Sequence, residues 1–168
     1  MKNFFGKNKN VIIGVFCILV ILSSVFVHQY MPSNTDFEGK GNKCTISINC
    51  SDILDAENLG DKSDFIQNDG VILGDTEVKF KSGKSAFDLL YDIIKAEKIH
   101  IDFSKNSVYN STYIKGIGNI YEGDFGDMSG WYYLVNGEML SVSSSEYEVK
   151  DGDKIEWIYS CNMNELFE

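Results

Sequence analysis

The sequence contains no arginine, a single proline and only two histidines in 168 residues. Without arginine the chain lacks the planar fork that grips phosphates and carboxylates through paired hydrogen bonds. The formal net charge is −10, and every acidic residue lies beyond residue 35. That balance excludes nucleic acid as a partner and disfavours anionic ligands. Of the histidines, His28 borders an apolar run and His100 alternates with Ile99 and Ile101, so neither sits in a Ser-His-Asp or Cys-His pattern. Cys44, the best nucleophile candidate, reads as a spare thiol. Catalysis is therefore not expected, and no cofactor is required. There are no long internal repeats and no low-complexity segments.

What the chain does have begins at its N-terminus. Residues 11–27, VIIGVFCILVILSSVFV, carry no charge and at ~1.5 Å per helical residue nearly span the ~30 Å hydrocarbon layer of a membrane. Lys2, Lys7 and Lys9 precede the run with no acid among them, which places the N-terminus in the cytoplasm and the rest outside. The stretch SSVFVHQYMPS has no good Ala-x-Ala-like cleavage site, so a retained anchor is expected, with a cleaved signal peptide and a secreted product as the alternative. Cys17 lies inside the run and reads as a membrane-embedded thiol. The expected layout is a cytoplasmic tail at 1–10, a transmembrane signal-anchor at 11–28, a linker at 29–43 holding the one proline, and an extracytoplasmic domain at 44–168. The protein is thus predicted to be single-pass in the plasma membrane.

Within that domain the period of the apolar residues points to an α+β fold. CTISINC (44–50) alternates Ile46, Ile48 and Cys50 with Thr45, Ser47 and Asn49, the pattern of a half-buried strand. Residues 51–70 read as loop with a helical turn. Two short strands are expected at Val71–Leu73 and Glu77–Lys81. In KSAFDLLYDIIKAEK, Ser85 with Asp88 three residues on forms a capping box, and Ala86, Phe87, Leu90, Ile93, Ile94 and Ala96 form an apolar stripe. Further strands are predicted at 98–103, 111–123, around the hairpin GWYYLVNGEML (130–140) and at 154–161, with Asn136-Gly137 and Gly152 at tight reversals. One amphipathic helix on a mixed sheet follows from that order.

Beyond the apolar run the cysteines are Cys44, Cys50 and Cys161. Cys44 and Cys50 end one strand, roughly 20 Å apart when extended, and cannot bridge each other. If the first and last strands lie parallel and adjacent, Cys50 and Cys161 at their C-terminal ends come together, so a Cys50–Cys161 disulfide is predicted, leaving Cys44 unpaired. Three unbridged thiols are the alternative. Glu122, Asp124 and Asp127 offer oxygen ligands, but without the length or spacing of an EF-hand loop they read as a solvated acidic turn, and no metal site is predicted.

The set CTISINC, DGVIL, TEVKFKSGKSAFDLL, YIKGIGNIYEGDFGDMSGWYYLVNG and YEVKDGDKIEWIYSC resembles the bacterial transcobalamin-like C-terminal domain family, long labelled a domain of unknown function. The likeness runs from about Cys44 to Cys161, carried most specifically by Ser129-Gly130-Trp131, Tyr133, Val135-Asn136-Gly137, Tyr147, Gly152-Asp153 and Trp157-x-Tyr159. It implies a β-grasp-like sheet with one helix, related to the small domain that closes over the corrin ring in the vitamin B12 carriers transcobalamin and intrinsic factor. Carried over by position, Trp131, Tyr133 and Asn136, with Met139 on the returning strand, are the expected ligand-facing side chains. Phe125 and Ser144 stand where many relatives have a cysteine pair. In the carriers a large helical domain forms the other half of the site, so the resemblance implies a partner protein here.

Alternation in the hairpin sends Trp131, Tyr133 and Val135 to one face and Tyr132 and Leu134 to the other. Tyr132 and Leu134 are expected in the core, Trp131 and Tyr133 at a ligand or partner. The function expected is a membrane-anchored binding module for a corrinoid such as cobalamin, or another flat apolar small molecule, recognised together with a partner. The alternative is a cell-surface protein-interaction or structural module without a small ligand.

Overall fold

The computed structural model describes residues 41–56, 59–106, 108 and 111–164. The predicted tail, anchor and most of the linker fall at residues 1–40, outside the described residues. Among the described residues no helix is long and apolar enough to cross a membrane.

The described chain is α+β, with two sheets and one α-helix. Strand β1 (Asn42–Asn49) is followed by two short 3-10 turns, then β2 (Val71–Phe80), helix α1 (Ala86–Glu97), β3 (Ile101–Asn106), β4 (Ser111–Ile117), β5 (Ile120–Tyr121), β6 (Gly130–Val135), β7 (Glu138–Met139) and β8 (Lys154–Ser160). The larger sheet has the order β2-β1-β8-β6-β7, and β3-β4-β5 form a second, three-stranded sheet. The central pair is parallel, with Thr45 opposite Lys154 and Ile48 opposite Trp157. The other pairs are antiparallel.

Alternation decides which face is buried. Ile46 and Ile48 of β1 and Ile155, Trp157 and Tyr159 of β8 point to the core, while Thr45, Ser47, Lys154 and Glu156 stay on the solvated face. Helix α1 buries Ala86, Phe87, Leu89, Leu90, Ile93 and Ile94, and Ala96 is exposed. Its first turn carries the expected capping box, with Ser85 Oγ accepting from the Asp88 amide at 3.1 Å and the Asp88 carboxylate accepting from the Ser85 amide at 3.0 Å. The helix start is also pinned from outside, because the amides of Ala86 and Phe87 donate to the carbonyls of Tyr147 and Ser144. Lys98, in the left-handed region at φ 58°, ends the helix.

Five features differ from the sequence reading. There are two sheets rather than one, and the strand expected at 98–103 runs instead over Ile101–Asn106 because Lys98 still closes the helix. The domain's first strand starts at Asn42, inside the segment read as linker, because Asn42 and Lys43 already pair with Phe80 and Lys79. The two strands expected at 71–73 and 77–81 are one strand, with a register irregularity between Leu73 and Thr76 that absorbs Gly74. The segment 111–123 is a hairpin, reversing at Gly118-Asn119, both with positive φ.

The expected Cys50–Cys161 bridge is not present: Cys44, Cys50 and Cys161 are all thiols. The premise of parallel, adjacent first and last strands holds, but the register defeats the conclusion. Asn49 is level with Ile158, which puts Cys50 level with Tyr159 and Cys161 two residues further on. One lateral strand spacing combined with two residues of rise leaves Cα atoms about 8 Å apart, beyond the reach of a disulfide. The Cys50 thiol instead donates to the Gly70 carbonyl at 3.2 Å, and the Cys161 thiol to the Asp52 carbonyl at 3.7 Å. Burial, with Asp153 near Cys44 and Asp69 near Cys50, pushes both buried thiols up to about 11. In native protein, iodoacetamide is therefore expected to modify Cys161 well ahead of Cys44 and Cys50, as peptide mass spectrometry would read. Equal labelling of all three would contradict the burial.

Candidate functional site

The hairpin singled out in the sequence borders an apolar groove. Strand β6 hydrogen-bonds β8 on one side, with Trp131 opposite Tyr159, Tyr133 opposite Trp157 and Val135 opposite Ile155. On its other side the two-residue β7 covers only Leu134 and Val135. The Asn136 amide donates to the Lys154 carbonyl of β8, so by alternation the main-chain groups of Trp131 and Tyr133 face away from β8. Among the described residues no strand pairs with them there.

That open side looks into a groove. Ser111–Ile114 of β4 form one wall and Trp131–Tyr133 of β6 the other, with Met139, Leu140, Ser143, Ser144 and Trp157 completing a cavity of about 320 Å³. A second cavity of about 520 Å³ shares Tyr113, Trp131 and Tyr132 and extends to Glu122, Asp127, Met128 and Met163. The two together make one trough along the free edge of β6. Five aromatic side chains, three thioethers and a few hydroxyls line it; the carboxylates of Glu122 and Asp127 belong to the second cavity alone.

Each predicted site residue can now be placed. Trp131 is a core residue first: it is 7% exposed, its Nε1 donates to the Ile120 carbonyl at 2.8 Å, and its ring meets Tyr159 edge-on at 5.4 Å. Tyr133 is half-buried, stacked at a tilt on Trp157 with centroids 5.6 Å apart, and its hydroxyl donates to the Val142 carbonyl at 2.6 Å. That bond holds the loop after β7 against the groove. Met139 is half-buried and lines the groove. Asn136 does not line it. Its φ of 55° and the φ of 83° at Gly137 form the tight turn. Its side chain is spent on structure, with Nδ2 donating to Asp153 Oδ1 at 3.0 Å and Oδ1 accepting from the Lys154 amide at 2.9 Å.

The division of the rings is also the reverse of the expected one. Trp131, Tyr133 and Val135 share the face of Tyr159, Trp157 and Ile155, which is the core face, whereas Tyr132 and Leu134 lie opposite Ile158 and Glu156 on the half-exposed face. Both faces of the hairpin are apolar, so alternation alone could not choose between them.

Several groove residues are not among the ligand-facing side chains expected from sequence: Tyr113, Ile114, Leu140, Ser143, Ser144 and Trp157. Trp157 was reachable, since its alternation with Ile155 and Tyr159 marks a core face next to the hairpin. The others are brought in by the second sheet and the 140–145 loop. Trp157 Nε1 is buried and has no hydrogen-bond partner among the described residues, which is unusual for an indole donor in a folded core. Tyr113 donates to the Glu122 carboxylate, and that bond together with partial burial pushes its hydroxyl up to about 12. Burial, and then Glu146, also raises Tyr133 above the usual tyrosine range. The groove phenols therefore stay neutral at physiological pH.

The acidic turn does not converge on a metal geometry. Asp124 accepts from the Tyr121 amide at 2.7 Å and pairs with Lys62 at 2.9 Å, and among the described residues no group of three metal-ligating side chains comes together.

Fold and groove define a small α+β domain with an aromatic trough at a sheet edge. Comparison with known proteins agrees on the fold. Residues 83–160 match the model of a family described as Domain of unknown function (DUF4430). Haptocorrin, solved in complex with Cbi, superposes with a TM-score of 0.51 at 17% identity, over 73% of this chain and 26% of that one. The chain thus spans about a quarter of haptocorrin's length. A "putative metal binding protein from Ruminococcus gnavus ATCC 29149" aligns with a TM-score of 0.41 at 16% identity, over 71% of this chain and 96% of that one. No curated protein matches.

Proposed function

We propose that the protein is a membrane-anchored, extracytoplasmic binding module whose trough along β6 takes a flat, largely apolar small molecule of the corrinoid class, together with a partner protein. The observation that carries this reading is the trough itself: apolar walls, a β6 edge at Trp131 and Tyr133 that no strand pairs with among the described residues, and a buried indole donor at Trp157 without a partner among them. Such a surface suits a ligand that is apolar across its faces and bears hydrogen-bond acceptors at its rim. The fold likeness to haptocorrin supports the same class, and the parallel β1–β8 pair beside one helix supports a β-grasp-like arrangement. A trough lying along a strand edge leaves room for a partner to close over it. The uncharged run at 11–28 supplies the anchor, and the absence of a histidine or cysteine set supports binding over catalysis.

Both tryptophans of the chain line the groove, so intrinsic fluorescence reports on it directly. Titration of the detergent-solubilised full chain with cobalamin is expected to give saturable quenching at micromolar ligand, after correction for cobalamin absorbance. Quenching that stays linear to high micromolar cobalamin would eliminate binding by this chain alone. The same titration repeated with a co-purified partner then tests the shared site.

The unpaired edge of β6 favours a second reading, a protein-interaction module in which a partner chain rather than a small molecule covers the trough. Recovery of a partner protein whose binding cobalamin does not displace would favour it.

A further inference from the structure

We infer that the opposite end of the larger sheet is a self-association edge, along which β2 of one chain pairs antiparallel with β2 of a second copy, centred on Val78. The inference is independent of the groove, because β2 and β6 lie at different ends of the strand order.

Strand β2 pairs only with β1, so among the described residues its outer main-chain edge is unclaimed. Its regular portion runs from Thr76 opposite Ile46 to Phe80 opposite Asn42, and Val78 is the middle residue of that portion. The exposed side chains are arranged antisymmetrically about it. Glu77 lies on one side of Val78 and Lys79 on the other, and Asp75 and Lys81 repeat the pattern one step out. Antiparallel pairing about Val78 sets Glu77 of each copy opposite Lys79 of the other. Parallel pairing in register would set like charges together. Edge strands that are kept apart by charge generally carry one sign, usually lysine. An edge with both signs placed this way repels in one orientation and attracts in the other.

A second observation points the same way. Within the chain, Lys79 stands directly opposite Lys43 across the β1–β2 pair, an unfavourable placement of like charges. Lys43 is relieved by Glu77, 2.7 Å away, but Lys79 makes no ion pair among the described residues. A second copy brings the missing carboxylate, Glu77, to Lys79. On the inner face the pairing places Val78 against Val78 and Thr76 beside Phe80, which extends the apolar side of the sheet.

Charge reversals test this without touching the core, since Glu77 and Lys79 are exposed. Sedimentation of the full chain in detergent is expected to show a concentration-dependent monomer–dimer equilibrium. Glu77→Lys and Lys79→Glu should each weaken self-association at least tenfold. An equimolar mixture of the two single variants should associate again, because one then presents two lysines and the other two glutamates. The double variant E77K/K79E should recover the wild-type behaviour, and circular dichroism checks that all four proteins are folded. A wild-type chain that stays monomeric, single variants that dimerise as tightly as wild type, or a mixture that fails to associate would each overturn the inference.

Discussion

Trp131→Ala is expected to destabilise the domain by roughly 3–5 kcal/mol, the range for deleting a large aromatic from a packed core. Removing the indole opens a cavity between β6 and the second sheet and leaves the Ile120 carbonyl without its donor. It also strips Tyr159 of an edge-to-face neighbour at the point where the two sheets meet, beside the 2.8 Å hydrogen bond from the Tyr159 hydroxyl to the Tyr121 carbonyl. A fall of well over about 10 °C in the thermal midpoint should follow. Lost ligand binding in that variant would therefore report lost structure. Met139→Ala is the contrasting case: Met139 is half-exposed on a two-residue strand, so its truncation should cost about 1 kcal/mol or less. If Met139→Ala lowers cobalamin quenching at unchanged thermal midpoint, the groove is the site. A Trp131→Ala protein as stable as wild type would show instead that the indole is not part of the core.

Asp153→Ala should have the next largest effect, roughly 3 kcal/mol, or about 10 °C. The Asp153 carboxylate is 6% exposed and accepts from the Tyr147 hydroxyl at 2.8 Å, the Asn136 amide nitrogen at 3.0 Å and the Lys150 amide at 2.8 Å. It thereby fastens the β6–β7 turn, the 140–149 segment and the start of β8 to one another. Burial alone would push its pKa up, but those three donors outweigh it and hold the carboxyl below the usual carboxylate range. A depressed folded value means that the stabilisation is complete above the unfolded-state value of about 4 and disappears as pH falls from there through the folded value. Thermal midpoints measured from pH 7 downward should show wild type losing its advantage over Asp153→Asn below about pH 4. Two curves that run parallel across that window would show that folding does not lower the pKa of this carboxyl.

Asp153 also shows how a residue reaches importance without announcing it. In the sequence it belongs to KDGDK, a turn, where the family resemblance marks it but nothing in its local chemistry sets it apart from Asp151 two residues before. Three-dimensional pairing separates them: Asp153 faces Asn136 and Tyr147, whereas among the described residues Asp151 accepts only from the exposed Lys43 amide. Asn136 makes the complementary point. It was read as a ligand contact by position in the hairpin, yet the left-handed conformation that makes it a turn residue also aims its amide at Asp153 and Lys154.

Local chemistry alone determined a good part of this protein. The Ser85–Asp88 capping box and the apolar stripe of 86–94 specify a helix, because a 3.6-residue period and a satisfied first turn leave little else for the segment to be. The Asn136-Gly137 pair specifies a hairpin, and the alternation of 44–50 specifies a strand. Tertiary structure alone decided the rest. Which face of the hairpin is inside depended on register against β8, since both faces are apolar and a period of two cannot rank them. The groove exists because the two-residue β5 covers only Gly116 and Ile117 of β4, the middle strand of the second sheet, and leaves Ser111–Ile114 facing β6. The cysteines stay apart because two parallel strands that do lie side by side are offset by two residues, and an offset is a property of the pair of strands rather than of either one.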